Sequence, residues 1–504
     1  MASTPFDRAM IDGYSFPGAA IEIGAPLQDG KVASTARVRV PLSMMNRHGL
    51  ISGATGTGKT KTLQLLAERL SDAGVAVFAS DIKGDLSGLA AAGVSNARIE
   101  ERCQALGTSY KPAAYPVEFY SLSGKNGLPL RATVSSFGPL LLARVLDLNE
   151  TQQSVLALVF KLCDDRHLLL LDLADLREVL QWLLGEGAAS LVDYGSISKA
   201  TVGVLLRKMV ELEQQGAKDF FGEPELDVED LLRTDGSGRG IINILELNDF
   251  QDRPALFSTF LMWLLACLWR ELPEVGDLDK PKLVFFFDEA HLLFEGASKA
   301  LLQQVEQVAR LIRSKGVGIF FVTHTPKDVP DDVLAQLGHR VQHALRAFTP
   351  DDDKALRATA NTFPKTEFYD IPKTITSLGI GEALVTVLTP RGSPSPPAAT
   401  LVEPPSSKME PIALGDLNAR VSASPLFAKY SHAIDRESAR EVLQKEAPQG
   451  EPQHQAHDEP TMSEKVSDVL NSPMARTVGR ELMRGLFGVL GVSTRTYRTR
   501  RRRY

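Results

Sequence analysis

Gly53-Ala54-Thr55-Gly56-Thr57-Gly58-Lys59-Thr60 fills every fixed position of the phosphate-binding pattern G-x-x-x-x-G-K-[ST]. Leu50 and Ile51 lead into it as the end of an apolar strand, and residues 61–73 follow as a helix with a stripe at Leu63, Leu66, Ala67 and Leu70. Glycines let successive backbone N–H groups turn inward on phosphate oxygens, and the helix N-terminus adds its positive end. Residues 53–60 (Gly53, Ala54, Thr55, Gly56, Thr57, Gly58, Lys59 and Thr60) together with Lys61 are therefore the expected nucleotide-binding set. Lys59 reaches the terminal phosphates and the Thr60 hydroxyl holds Mg²⁺. The motif by itself does not separate ATP from GTP.

Outward from the loop, residues 75–80 form a second apolar strand ending in Asp81-Ile-Lys-Gly-Asp85. Strand, loop, helix and strand in this order predict a βαβ unit, hence a mainly parallel sheet with helices on both faces. Residues 116–119 and 131–133 are weaker strand candidates. Strands are expected again at 240–245, 283–287, 318–322 and 340–347, with helices at 257–269 and 297–315. Between the two groups, helical periodicity at 140–146, 151–163, 173–185 and 198–213 predicts a helical insertion, with Asn149 or Thr151 capping its second helix.

The expected division is a short N-terminal β segment (1–50), a first part of the nucleotide-binding core (51–139), a mainly helical insertion (140–235) and a second part of the core (236–391). A proline-rich, polar linker with short helices (392–470) and a C-terminal helix with an arginine-rich tail (471–504) complete it. The prolines of Ser393-Pro-Ser-Pro-Pro and Val402-Glu-Pro-Pro argue against a central strand there. The terminal helix carries Met474, Val478, Leu482, Leu486 and Leu490 on one stripe, and Arg495, Arg498 and residues 500–503 follow it.

Composition narrows the function classes. With 56 basic and 62 acidic side chains the formal charge is -6, which gives no support to a uniformly basic nucleic-acid surface. The three cysteines lack metal-ligand spacing and fit buried thiols in a reducing cytoplasm. Residues 1–7 show no signal peptide, and the most apolar stretch, 257–269, is too short to insert in a membrane.

The stretch Leu283-Val-Phe-Phe-Phe-Asp-Glu-Ala-His291 is the second strong signal. Five apolar residues ending in two carboxylates describe a buried parallel strand that delivers acids at its C-terminal end. Asp288 would hold the Mg²⁺ of Thr60, mainly through water, and Glu289 would deprotonate the water that attacks the terminal phosphate. Asp81, Lys83 and Asp85 end the strand expected to neighbour the phosphate-loop strand, where open α/β sheets place ligands, and read nearly as well as surface turn chemistry around Gly84. Thr323-His324-Thr325-Pro326 leaves another buried strand, so His324 or Thr323 is placed to sense the terminal phosphate. His291 reads as a partner of the acid pair or as an ordinary polar helix start. If the protein is a ring, Arg310, Arg313 and Arg340 are candidates for an arginine donated to a neighbouring subunit's site.

These stretches, with Ala79-Ser-Asp-Ile-Lys-Gly-Asp-Leu-Ser-Gly88, Leu146-Asp-Leu-Asn-Glu-Thr-Gln152, Phe220-Phe-Gly-Glu-Pro224, Gly238-Arg-Gly-Ile-Ile-Asn243 and Arg484-Gly-Leu-Phe-Gly488, carry a family resemblance. The chain resembles the DUF853 group of HerA-like helicase C-terminal domain proteins, in the HerA/FtsK class of P-loop ATPases. The resemblance implies an α/β P-loop NTPase with a RecA-like sheet, ATP and Mg²⁺ as cofactors, and a homo-oligomer, expected as a hexamer, that translocates double-stranded DNA. It places Lys59 and Thr60 in the phosphate-loop roles and Asp288 and Glu289 in the acid-strand roles. His324 stands where relatives often have a glutamine sensor. The residues before Gly53 are too few for the N-terminal β-barrel of HerA itself.

Two readings follow. One is a ring ATPase whose hydrolysis drives translocation or remodelling of DNA. The other is a nucleotide-dependent switch or assembly protein with a protein partner, contacted through the helical insertion and the terminal helix.

Overall fold

The computed structural model describes residues 4–446 apart from Ser34, 251–253, 295–298 and Asp435. The expected C-terminal helix and arginine tail, and the 447–470 part of the linker, lie outside the described residues.

In chain order the strands are β1 (Ala20–Gln28), β2 (Lys31–Val32), β3 (Val38–Pro41), β4 (Gly49–Ser52), β5 (Ala76–Asp81), β6 (Val117–Ser121) and β7 (Leu128–Pro129). Then come β8 (Ile242–Glu246), β9 (Leu283–Phe287), β10 (Val317–Thr323), β11 (His339–His343), β12 (Glu382–Thr386) and β13 (Ala398–Val402). They make a single sheet in the order β2-β1-β13-β12-β11-β4-β10-β9-β5-β8-β6-β7, with β3 paired to β1. From β11 to β7 every neighbouring pair is parallel. Both faces of this part are covered, which is why β4, β5, β8, β9 and β10 are buried along their whole length and read as near-continuous apolar runs. Alternation still sorts the side chains: Leu283, Phe285 and Phe287 join the core on one face, Val284 and Phe286 the core on the other.

Beyond β11 the sheet turns antiparallel, through β12, β13 and β1. This wing corrects two expectations. Residues 398–402 are not linker but a strand between β1 and β12, and the N-terminal β segment is the continuation of the same sheet. The prolines misled because they flank β13 and need not donate from within its ladder. A helix, Pro5–Gly13, was also not expected; Thr4 caps it reciprocally with Asp7, and Phe6 and Met10 are buried. Residues 131–133 form only a single bridge, Ala132 with Phe221, because Thr133 caps the next helix.

Helices cover one face at Val134–Val145, Glu150–Asp165, Leu173–Leu184 and Lys199–Leu212. Thr133, Asn149, Asp172 and Ser198 each accept the N–H of the third helical residue. The Leu-Asn-Glu-Thr-Gln stretch thus has a physical meaning: Asn149 and Gln152 form a capping box. Helix Pro254–Glu271 also packs into this face, and among the described residues no helix is long and apolar enough to cross a membrane.

After β13 the chain runs back as a strap over the helix that follows the phosphate loop, Lys59–Asp72. Glu68, fully buried, accepts from Ser406 N (2.8 Å), Ser407 N (2.9 Å) and Ser407 Oγ (2.6 Å). Gln64 Nε2 donates to Lys408 O at 3.3 Å, and the Lys61 ammonium donates to Met409 O. Glu68→Ala would leave two buried backbone N–H groups without an acceptor, so we expect a loss of about 2–4 kcal/mol. Chemical denaturation checks it; an unchanged midpoint would mean that the strap adds nothing to stability.

Candidate functional site

The phosphate loop rises from β4 between β10 and β11, and both neighbours hold it. Gly53 N donates to His324 O (3.1 Å) and Ala54 N to Ala344 O (2.9 Å). β11 itself stops at His343, short of the expected 347, and Ala344 just beyond it holds the loop. Two glycines are required by space and by backbone. A Cβ on Gly53 (φ 155°) would lie 2.5 Å from His343 Cβ, and one on Gly58 (φ 115°) would lie 3.2 Å from the Gly381 backbone. Gly381 N in turn donates to Thr57 O at 2.9 Å, and His343 Nε2 meets Thr62 Oγ1 at 2.9 Å. His343 and Gly381 were not singled out by sequence, since nothing local marks a residue on a distant strand as the wall of this loop.

Lys59 is buried, and its ammonium donates to Gly53 O (2.7 Å) and Ala54 O (3.3 Å). Burial lowers its pKa, with Glu289 and Asp288 opposing. Thr55 and Gly56 are exposed at the loop tip, and Thr60 is half-buried at the helix start. The Lys61 side chain is turned to the strap.

Asp288 and Glu289 leave β9, and β10 separates that strand from β4. Asp288 is 3 % exposed, and its Oδ2 has no hydrogen-bond partner among the described residues. Burial, then the nearby Glu289, Asp81 and Asp85 carboxylates, push it up to about 7. Glu289 adopts a left-handed backbone (φ 50°) and is also buried. Its Oε1 is ion-paired with the Lys83 ammonium, while His291 Nδ1 and His324 Nε2 each lie 3.3 Å from its Oε2. Burial raises the Glu289 pKa, but Lys83, then His324 and His291, outweigh it and hold the carboxyl below its ordinary value. His324 is lowered by its own burial, against the pull of Glu289. Of the two sensor candidates, only His324 is near the acids. Thr323 donates to Asp328 Oδ2 at 2.7 Å, and Asp328 also takes Thr325 N, so that hydroxyl is committed to the turn after β10.

Asp81 accepts from Gly84 N (2.7 Å), Asp85 N (3.3 Å) and Leu86 N (2.8 Å), which fixes the turn that presents Lys83. The stretch is turn chemistry, and the turn faces the acids because β5 neighbours the acid strand β9 and not, as expected, the phosphate-loop strand β4. Asp81, Asp85 and Asp288 offer oxygens within 4.8 Å of one another. Glu246, at the end of β8, joins them electrostatically: burial, then Asp81 and Asp85, push it up to about 8. Sequence reading passed it by because its strand was ended one residue early, although a carboxylate at the end of an apolar strand was the signal already used for Asp288.

The three arginines are not brought to this cluster. Helix Lys299–Leu311 and the turn Ile312–Lys315 carry the chain back to the start of β10, so Arg310 and Arg313 lie toward the sheet edge opposite the phosphate loop. Arg310 pairs with Glu306 on its own helix; Arg313 is exposed. Arg340 stands opposite Leu50 within the ladder, donates to Leu334 O at 3.4 Å and has its pKa lowered by burial.

The model of the family described as "Helicase HerA-like C-terminal" matches residues 28–469. The chain belongs to this HerA-like family of P-loop ATPases. The DNA double-strand break repair helicase HerA of Sulfurisphaera tokodaii is 24% identical over 373 residues, 70% of this chain and 65% of that protein. The protein of the same name from Sulfolobus acidocaldarius is 22% identical over 374 residues, with the same coverage. The chain thus spans just under two thirds of the length of these HerA relatives. Among solved structures, the plasmid coupling protein TrwB in complex with a non-hydrolysable ATP analogue superposes with a TM-score of 0.51 at 15% identity, covering 80% of this chain and 98% of that one. That likeness supports an α/β P-loop NTPase fold, and HerA-like membership fits the position of the loop on β4 and the acid pair on β9.

Proposed function

We propose that this chain hydrolyses ATP with Mg²⁺ as a subunit of a ring-forming assembly, and that hydrolysis is coupled to translocation or remodelling of DNA. The observation that carries the hydrolytic part is the convergence, at one sheet edge, of a phosphate loop with a buried lysine and a strand-borne carboxylate held below its ordinary pKa. The residues fit the cation: Asp288 has a buried carboxylate oxygen without a partner, and Thr60 offers a hydroxyl, the hard oxygen donors that Mg²⁺ prefers. Bound there, the ion would neutralise charge on the phosphates.

In this reading residues 53–61 hold the nucleotide phosphates and Lys59 meets the terminal ones. Glu289 takes a proton from a water whose oxygen attacks the γ-phosphorus; the bond to the bridging oxygen breaks, and ADP and phosphate leave. His324 reports on the γ-phosphate from beside Glu289. Arg310, Arg313 and Arg340 remain candidates for a contact across a subunit boundary; the exposure of Arg310 and Arg313 suits that role better than the packed position of Arg340.

The DNA substrate is supported by the names of the HerA relatives, and the hexamer and use of ATP over GTP are what the family resemblance implies. A cytoplasmic location is supported by three buried free thiols. The test is particle mass with and without ATP and Mg²⁺, followed by turnover with and without duplex DNA. We expect a ring mass and a stimulation that falls as salt rises. A ring whose turnover ignores DNA at every salt concentration would overturn the DNA reading in favour of a protein partner.

A further inference from the structure

Glu289 offers little room for a water: its Oε2 has no hydrogen-bond partner among the described residues, yet it is buried. Lys83 holds Oε1, and two imidazoles crowd Oε2, their rings 5.3 Å apart. If Glu289 is the base of the proposed hydrolysis, Oε1 can meet a water only when Lys83 leaves it, and Oε2 only between the two imidazoles. Of the three, Lys83 has the longest and most mobile reach. Its side chain is 47% exposed, whereas Glu289 itself is 6% exposed. The backbone beneath it does not move with it, because Asp81 pins the 84–86 turn by three N–H bonds. His324, beside Glu289, also accepts Gly53 N through its carbonyl, so the cluster that holds Lys83 abuts the phosphate loop.

We infer that Lys83 is a γ-phosphate-dependent latch: it pairs with Glu289 until ATP is bound, then moves to the terminal phosphate and releases Glu289 Oε1 for the attacking water. This rests on the assignment of Glu289 as base. An ammonium on a flexible stem is suited to such an exchange, being a point charge with three donors and no fixed plane to align. A terminal phosphate carries more negative charge than one carboxylate, and a charge-assisted bond exists before and after, so the exchange has a driving force and little cost. ADP lacks the phosphate that draws the lysine away. The latch would therefore arm the base only when a substrate is present, and re-form once phosphate has left.

The test compares K83M and K83R with the parent in binding ADP and a slowly hydrolysed ATP analogue, both with Mg²⁺, and in steady-state turnover of the full chain. For K83M we expect ADP affinity within about twofold of the parent, analogue affinity weakened by about tenfold, and kcat lowered by at least as much. K83R keeps the charge and should retain most of the analogue affinity. An analogue-to-ADP preference unchanged in K83M would overturn the inference, because Lys83 would then not meet the γ-phosphate. A K83M turnover above the parent's would also overturn it, leaving Lys83 as a simple restraint on Glu289. Loss of ADP binding in both variants would assign Lys83 to the fold of the turn. The nucleotide preference does not depend on which residue is the base; that assignment fails separately, if Glu289→Gln hydrolyses at the parental rate.

Discussion

We expect Glu289→Gln to lower ATP turnover by about 10²-fold or more while ATP binding is retained. The amide has the shape of the carboxylate and can still accept from Lys83, but it cannot take a proton from water. Binding should not suffer, since the exchange removes a negative charge from a cluster that receives a polyanion: Lys59 and Lys83 lose a competitor for their charge. Equilibrium binding and turnover, measured on the same preparation, check both halves. A variant that hydrolyses at the parental rate would move the base elsewhere. Asp85, with a buried oxygen lacking a hydrogen-bond partner beside Asp288, would then be the first alternative. Glu306 is a poorer one, because it is paired with Arg310 on a helix that leads away from the phosphate-loop edge.

Lys59→Ala should abolish productive triphosphate binding, lowering turnover by about 10²-fold or more, without unfolding the protein. The ammonium is the buried cation of the loop, and its removal takes away the charge that neutralises the terminal phosphates. Stability should change little. Ala54 O lies next to the exposed Thr55, where water can take its place, and the cost of burying the charge, which disappears with it, offsets the donor lost to the buried Gly53 O. Nucleotide titration and a thermal melt separate the two effects. Parental turnover at saturating ATP would refute the phosphate-loop assignment, and a large fall in melting temperature would show that Lys59 also supports the fold.

The local parts of this site were legible because each is written in consecutive residues. The phosphate loop needs glycines at fixed spacing, and residues 53–60 have them. The acid strand needs an apolar run long enough to cross the sheet and end in carboxylates, and β9 has it. Helix starts such as Asn149 to Gln152 carry their own hydrogen-bond logic within four residues. None of these depends on what the rest of the chain does.

Placement across the sheet was decided by tertiary structure alone. Strands β1 and β13 pair although β1 ends at Gln28 and β13 begins at Ala398, and a pairing of that separation leaves no mark in the pattern of either segment. The same holds for the strap. Ser406 and Ser407 look like linker residues until Glu68, on a helix read from its apolar stripe but buried on its polar side as well, is seen to need their N–H groups. Lys83 was an ambiguous turn residue because its meaning lies in a carboxylate on another strand. Arg310, Arg313 and Arg340 were read together because the direction of their elements, which carries them away from the acids of their own chain, is not written in the local sequence. By itself the sequence determined which groups this protein has for phosphate chemistry. The fold decided which of them meet, because strand order and the direction of each crossover set the sheet edge at which every side chain emerges.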